Sequence, residues 1–181
     1  LLLSVFDLIF SFPAPILLAL LLNELRNKLF RNIVQSISYL PHFISIVVIA
    51  GMMVDFLASD GLINQITSWF DVKPISYLLL PQWFRTIYVS SGVWQGVGWG
   101  SIIYLAAIAG IDPSLYEAAK VDGAGRLRQL TNVTLPGIMP TIMILLILRV
   151  GHLLSGGSFE KILLLYNPTT YETSDVISTF V

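Results

Sequence analysis

Three stretches of this 181-residue chain carry no charge at all: between Arg31 and Asp55, between Arg85 and Asp112, and between Arg128 and Arg149. Each is close to the roughly 20 apolar residues that a helix needs to cross the hydrocarbon of a bilayer, so these runs constrain the fold before anything else does. The opening run, 1–22, is a fourth, interrupted only by Asp7. It starts with Leu rather than Met, so the chain is expected to begin inside a span, as a fragment. No basic leader or small-residue cleavage site marks it as a signal peptide. Composition agrees: 12% of residues are charged, where soluble domains carry about 25%. With no cysteine and a net charge of -1, a disulfide-framed module and a nucleic-acid binder with a basic surface are excluded, and the apolar content excludes a disordered chain. The expected fold is an all-α polytopic transmembrane bundle, one domain over 1–181, with spans at about 1–22, 33–55, 86–111 and 135–154.

Basic residues in short connections stay cytoplasmic, which sets the orientation. Arg26, Lys28 and Arg31 follow the first span, and Lys120, Arg126 and Arg128 follow the third. The first span therefore runs inward, the second outward, the third inward and the fourth outward. Residues 155–171 read as an outer loop, because the short apolar stretch within it cannot cross. The connection over 55–85 has turn residues at Asp60, Gly61, Pro74 and Pro81, and Trp69, Trp83 and Tyr88 suit an aromatic belt at the outer interface.

In the third span Gly92, Gly96 and Gly100 recur at every fourth position, a row that lets another membrane helix approach closely. Gln95 and Trp99 lie on a neighbouring face. A polar amide inside a span faces protein or a water-filled path rather than lipid, which makes both candidates for a substrate path. Arg149, with His152 one turn further, falls near the middle of the bilayer. An arginine there costs about 2.5 to 3.5 kcal/mol on insertion scales unless it has a partner or a wet cavity. Two readings stay open: an ion pair with Asp7, or a face on the translocation path, where the planar guanidinium could hold an acidic group of a glycan and Trp99 could stack on a sugar ring.

The connection over 112–134 is the most specific segment. Asp112 is a good N-cap and Pro113 fits a first helical position, while Ser114 with Glu117 offers a competing capping-box phase. Gly123 can take the left-handed conformation that ends a helix. The product is a short cytoplasmic helix with adjacent Ala118 and Ala119, whose low relief suits either docking into a groove or an ordinary connector.

These residues also carry a resemblance. Glu117-Ala118-Ala119, Asp122-Gly123-Ala124 and Val133-Thr134-Leu135-Pro136 with Pro140 resemble the EAA loop of binding-protein-dependent ABC import permeases. Leu18-Ala19-Leu20-Leu21-Leu22-Asn23, Tyr39-Leu40-Pro41, Gly61-Leu62-Ile63-Asn64 and Tyr116 extend the likeness to carbohydrate-uptake permeases over nearly the whole chain. Arg149-Val150-Gly151-His152, Leu165-Tyr166-Asn167-Pro168 and Tyr171-Glu172-Thr173 are similar to the LplB-like branch, associated with complex oligosaccharides. Leu130 and Val133 depart from the wider pattern but remain apolar.

The resemblance implies a type I, MetI-like permease architecture of about six spans, in the inner membrane of a bacterium, of which this chain holds about four. It implies oligosaccharide import, acidic if Arg149 faces the path, and a contact with the ATPase through Tyr116, Glu117, Ala118, Ala119, Asp122, Gly123, Ala124, Leu135 and Pro136. The implied partners are a second homologous permease subunit, two cytoplasmic ATPase subunits, an extracytoplasmic solute-binding protein, the lipid bilayer and the oligosaccharide, with no nucleic acid. The chain binds no cofactor or metal of its own on this reading, since ATP and Mg²⁺ sit on the ATPase.

Leu154-Ser155-Gly156-Gly157-Ser158 mimics the signature loop of ABC ATPases, but the sequence has no Gly-Lys-Ser/Thr phosphate loop, and the segment reads as a Gly-rich turn. Asn132-Val133-Thr134 matches a glycosylation sequon on the wrong side of the membrane. An intramembrane hydrolase would need a nucleophile with a base or a metal set. The sequence offers only His42 and His152, no Cys, and a single acid within a span. A channel or purely structural membrane protein is the remaining rival, and only the loop argues against it.

Overall fold

The computed structural model describes residues 2–71, 73–154 and 159–165, and leaves the side chains of 152–154 and Phe159 undescribed. Among the described residues every regular element is helical. The first span is a pair of helices, α1 (Leu2–Ser11) and α2 (Pro13–Glu24). Pro13 cannot donate a backbone hydrogen bond, so the helix is interrupted at Phe12 while the path continues.

The second uncharged stretch, expected as one span over 33–55, is discontinuous. Helix α3 (Lys28–Tyr39) begins on an Asn27 side-chain cap, gives way to a 3-10 turn at Leu40–Phe43, and resumes as α4 (Ile46–Leu57) on a Ser45 cap. Tyr39-Leu40-Pro41 causes the interruption, because Pro41 is disfavoured inside a helix and restricts the residue before it. Ser38 meets Gly98, the Ile44 carbonyl meets Gln95, and Ala50 joins the cluster of Phe84 and Tyr88. The two halves therefore climb together, antiparallel to the long helix they lean on. On α3 the half-buried positions are Arg31, Val34, Gln35, Ser38 and Tyr39, while Leu29, Phe30, Ile33 and Ile37 point outward. A polar-in, apolar-out helix makes sense only where the surroundings are themselves apolar.

The outer connection contains α5 (Leu62–Ser68) and is braced by Asn64. Its amide donates to the Ala58 and Ile75 carbonyls at 2.7 Å each and accepts from Ile75 N–H at 3.0 Å, which satisfies a buried polar side chain. Trp69 is exposed and Trp83 partly so, as an interfacial belt requires, whereas Tyr88 is buried. Its place is the outer core, because its position falls on the inward face of the next helix.

That helix, α6 (Pro81–Ala109), has 29 residues and is the mast of the fold. Leu3, Ala50, Phe84, Tyr88, Val89, Ile162 and Leu165 form an apolar cluster around its outer half. Ala19, Leu20, Tyr104, Ile108 and Ile138 form another around its inner half. The chain then turns at Gly110 into α7 (Pro113–Val121), α8 (Arg126–Gln129) and a π-helical turn, Leu130–Thr134, that runs directly into α9 (Leu135–Leu154). The π turn, closed by Leu135 N–H to the Leu130 carbonyl, accommodates Pro136, whose ring an unbroken α-helix would not accept. The segment before Pro136 is thus fused to the fourth span rather than lying apart from it. Helix α10 (Phe159–Leu164) packs its Ile162 and Lys161 back into the bundle.

Among the described residues four helical segments are, by length and composition, long and apolar enough to cross a membrane: Leu2–Glu24, Ile46–Ser68, Pro81–Ala109 and Arg126–Gly151, the second lying later than the expected 33–55 and reaching through α5. Leu17, Leu21, Ile144, Ile147 and Leu148 expose large apolar side chains along them. A soluble surface would not bear such faces side by side, but hydrocarbon does.

Candidate functional site: a charged cavity and a capped loop

Between the two apolar clusters lies a cavity of about 740 Å³. Both interrupted helices border it, span one with Ser11, Phe12 and Pro15, and span two with His42. Irregular backbone is tolerated at membrane depth where it lines such a space, and broken helices commonly mark the binding site of a transporter.

Polar groups converge on its wall. Arg149 on α9 donates from Nη2 to Asp7 Oδ2 on α1 at 2.5 Å, and Ser11 Oγ donates to Asp7 Oδ1 at 2.7 Å. The ion pair left open by the sequence is therefore formed, and it lines the cavity at the same time, so the two readings of Arg149 meet in one place. The Nε of Arg149 is buried without a hydrogen-bond partner. Lys161 on α10 is almost fully buried, donates from Nζ to the Tyr88 carbonyl at 2.8 Å and lies 4.6 Å from the centre of the Tyr88 ring. The wall thus sets one acid against two bases. Lys161 is not among the candidates the sequence offers, because it sits in a run too short to cross, within the segment 155–171 that reads as an outer loop. A lone lysine beside Ile162, Leu163, Leu164 and Leu165 was the available signal.

The remaining candidates separate. Gln95 lines the cavity and donates from Nε2 to the Ile44 carbonyl at 3.2 Å, pinning the 3-10 turn of span two. Trp99 stacks on His42, with ring centres 4.5 Å apart and planes within 2°, and Phe43 meets it edge-on at 5.7 Å. One indole face is therefore occupied by protein. His152 falls in the last turn of α9, with its side chain outside the described residues.

Gly92, Gly96 and Gly100 all border the cavity. Close packing holds at Gly100, where a methyl would come within 3.0 Å of Pro15, but Gly96 faces open space and Gly92 faces Lys161 and Asp7. The tightest crossing is at Gly98, against the Ser38 backbone. The row thus borders the cavity at all three positions, with charged side chains opposite Gly92 alone, and its neighbour Gly98 makes the tightest contact.

At the other end of α9 the capped loop is well defined. Asp112 Oδ1 accepts from Ser114 N–H at 2.9 Å, which settles the capping phase and holds the Asp112 carboxyl below its ordinary range. The helix ends in a Schellman motif: Gly123 has φ +73°, its N–H donates to the Lys120 carbonyl, and Ala124 N–H donates to the Ala119 carbonyl at 2.8 Å. Glu117, Ala118, Lys120 and Val121 stand exposed. Tyr116 and Thr134 hydroxyls share a hydrogen bond of 2.9 Å, tying α7 to the foot of α9, where Leu135 packs on the inner cluster and Pro136 is exposed. Glu24 reaches Arg126 at 4.0 Å between exposed side chains. The 155–158 turn and residues 166–181 lie outside the described residues.

Comparison with known proteins places this geometry. The family described as "Binding-protein-dependent transport system inner membrane component" matches residues 2–180. The polygalacturonan/rhamnogalacturonan transport system permease protein YteP of Bacillus subtilis (strain 168) is 48% identical over 97% of this chain and 54% of its own length. Protein LplB of the same organism is 42% identical over 100% of this chain and 57% of its own. This chain thus spans a little over half the length of these relatives. A chain of a bacterial ABC transporter involved in the import of the acidic polysaccharide alginate superposes with a TM-score of 0.95 at 54% identity, over 98% of this chain and 62% of that one. The same likeness holds for that transporter in complex with an alginate pentasaccharide-bound periplasmic protein.

Proposed function

Since this chain belongs to the family of binding-protein-dependent transport system inner membrane components, we propose that it forms the membrane-spanning part of an ATP-driven importer for an oligosaccharide. An extracytoplasmic binding protein delivers the sugar, and a second homologous permease subunit completes the path. Two cytoplasmic ATPase subunits, carrying ATP and Mg²⁺, supply the energy, and this chain does no chemistry itself. A bacterial cytoplasmic membrane is the setting.

One observation carries the reading. The exposed helix α7 is bonded through Tyr116 to Thr134 at the foot of α9, and the same helix carries Arg149 in the cavity wall. From Thr134 to Arg149 the helix rises about 22 Å. A displacement of α7 by a moving ATPase thus has a stiff route to the cavity. Glu117, Ala118 and Ala119 present the docking face, and Asp122, Gly123 and Ala124 turn the chain away from it.

The surplus of basic charge at Asp7, Arg149 and Lys161 supports an acidic oligosaccharide as cargo, as does the likeness to a transporter involved in the import of the acidic polysaccharide alginate. Reconstituting the full-length subunits with their binding protein should give uptake of acidic oligosaccharides that requires ATP. Uptake without nucleotide would overturn the importer reading, and equal transport of neutral glycans would overturn the acidic one.

A further inference from the structure

A second groove, of about 690 Å³, opens between α1 and α6 and shares only Val93 with the lining of the charged cavity. Phe6, Phe10, Val93 and Trp94 line its length, and Arg85 with Thr86 lines one end. Arg85 has a buried Nε without a hydrogen-bond partner, and no acid lies within ion-pair distance among the described residues. Ser90, midway along, gives its hydroxyl to the Ile87 carbonyl and asks nothing of an occupant.

Depth identifies what fits. Helix α6, at 29 residues, is about 43 Å long against a hydrocarbon core of about 30 Å, so its first turn or two overhang the core. Arg85 lies in the second turn and falls at the headgroup boundary. From Arg85 to Trp94 the helix descends about 13.5 Å, close to the depth of one leaflet. A cationic, hydrogen-bonding mouth over an aromatic-lined trench one leaflet deep matches an amphiphile with an anionic head.

We propose that this groove seats one anionic phospholipid of the outer leaflet, with its phosphate on Arg85 and an acyl chain along Phe6, Phe10 and Trp94. The inference depends on the membrane orientation given above and not on transport, so it stands or falls separately from the importer reading. The test is native mass spectrometry of the assembled full-length complex taken from bilayers containing phosphatidylglycerol and phosphatidylethanolamine. Phosphatidylglycerol should be retained preferentially, and Arg85→Met should lower that retention about fivefold, the effect of one basic residue near an anionic surface. Arg85→Lys should keep most of it, and Arg128→Met should change nothing at this site. A benzophenone side chain at Phe10 should crosslink to lipid. Equal retention of both lipids, full retention in Arg85→Met, or a crosslink from Phe10 to polypeptide would each overturn the proposal.

Discussion

Both carboxylate oxygens of Asp7 are engaged, one by Arg149 and the other by Ser11. Removing one member of a buried pair strands the other, at about 3 to 5 kcal/mol when burial is complete. The Arg149 side chain is 38% exposed, so the cost of Arg149→Met should be nearer 1 to 3 kcal/mol, about half that range. The thermal midpoint of the purified complex should fall accordingly, and Asp7→Leu in the same chain should recover most of it. Asp112 behaves differently, because its backbone bond to Ser114 lowers its pKa. A carboxyl with a depressed folded pKa contributes fully above its ordinary 3.8 and loses that contribution as the pH falls through the folded value. The cap of α7 should therefore be constant across neutral pH. Asp112→Asn should preserve sugar-stimulated ATPase activity, and Asp112→Ala should reduce it.

Among the elements, α7 was legible in the sequence almost to the residue, because its caps are chemical signals: Asp112 and Pro113 at the start, Gly123 at the end. Replacing Gly123 by Val forces a β-branched residue to a φ of +73°, at about 1 to 2 kcal/mol, and should uncouple ATPase stimulation from sugar while membrane insertion is retained. Span two was less legible. The absence of charge over its length predicts a crossing and says nothing about continuity, and the weight of Pro41 appears only once the 3-10 turn is pinned by Gln95. The glycine row had the same weakness, since period-four spacing shows which positions share a face but not which of them meets a neighbour. Gly98→Ala should collide with the Ser38 backbone and lower the stability of the complex by about 1 to 3 kcal/mol, whereas Gly96→Ala should be tolerated. Thermal unfolding of the two variants side by side distinguishes them.

At the scale of the molecule, two apolar clusters hold the ends of α6 and leave a polar cavity between them. The charge-free runs say nothing of this division, because its wall depends on Lys161, which lies beyond α9 in the chain. These 181 residues contain no cysteine, so a thiol introduced among them is the single one in this segment. A thiol placed at Gly96 should react with a membrane-impermeant maleimide in the full complex and be shielded by bound sugar. One placed at Ile144, on the outward apolar face, should stay unlabelled.

The Asp7–Arg149 pair joins residues 142 positions apart. At ribosomal rates of about 5 to 20 residues per second, Arg149 is added to the chain about 7 to 28 s after Asp7. Ser11 is the bonded partner that lies one turn away on the same helix, and it is added to the chain directly after Asp7. The Ser11 hydroxyl, which looks redundant beside the guanidinium in the finished protein, is thus the local half of a site whose other half arrives from far along the chain.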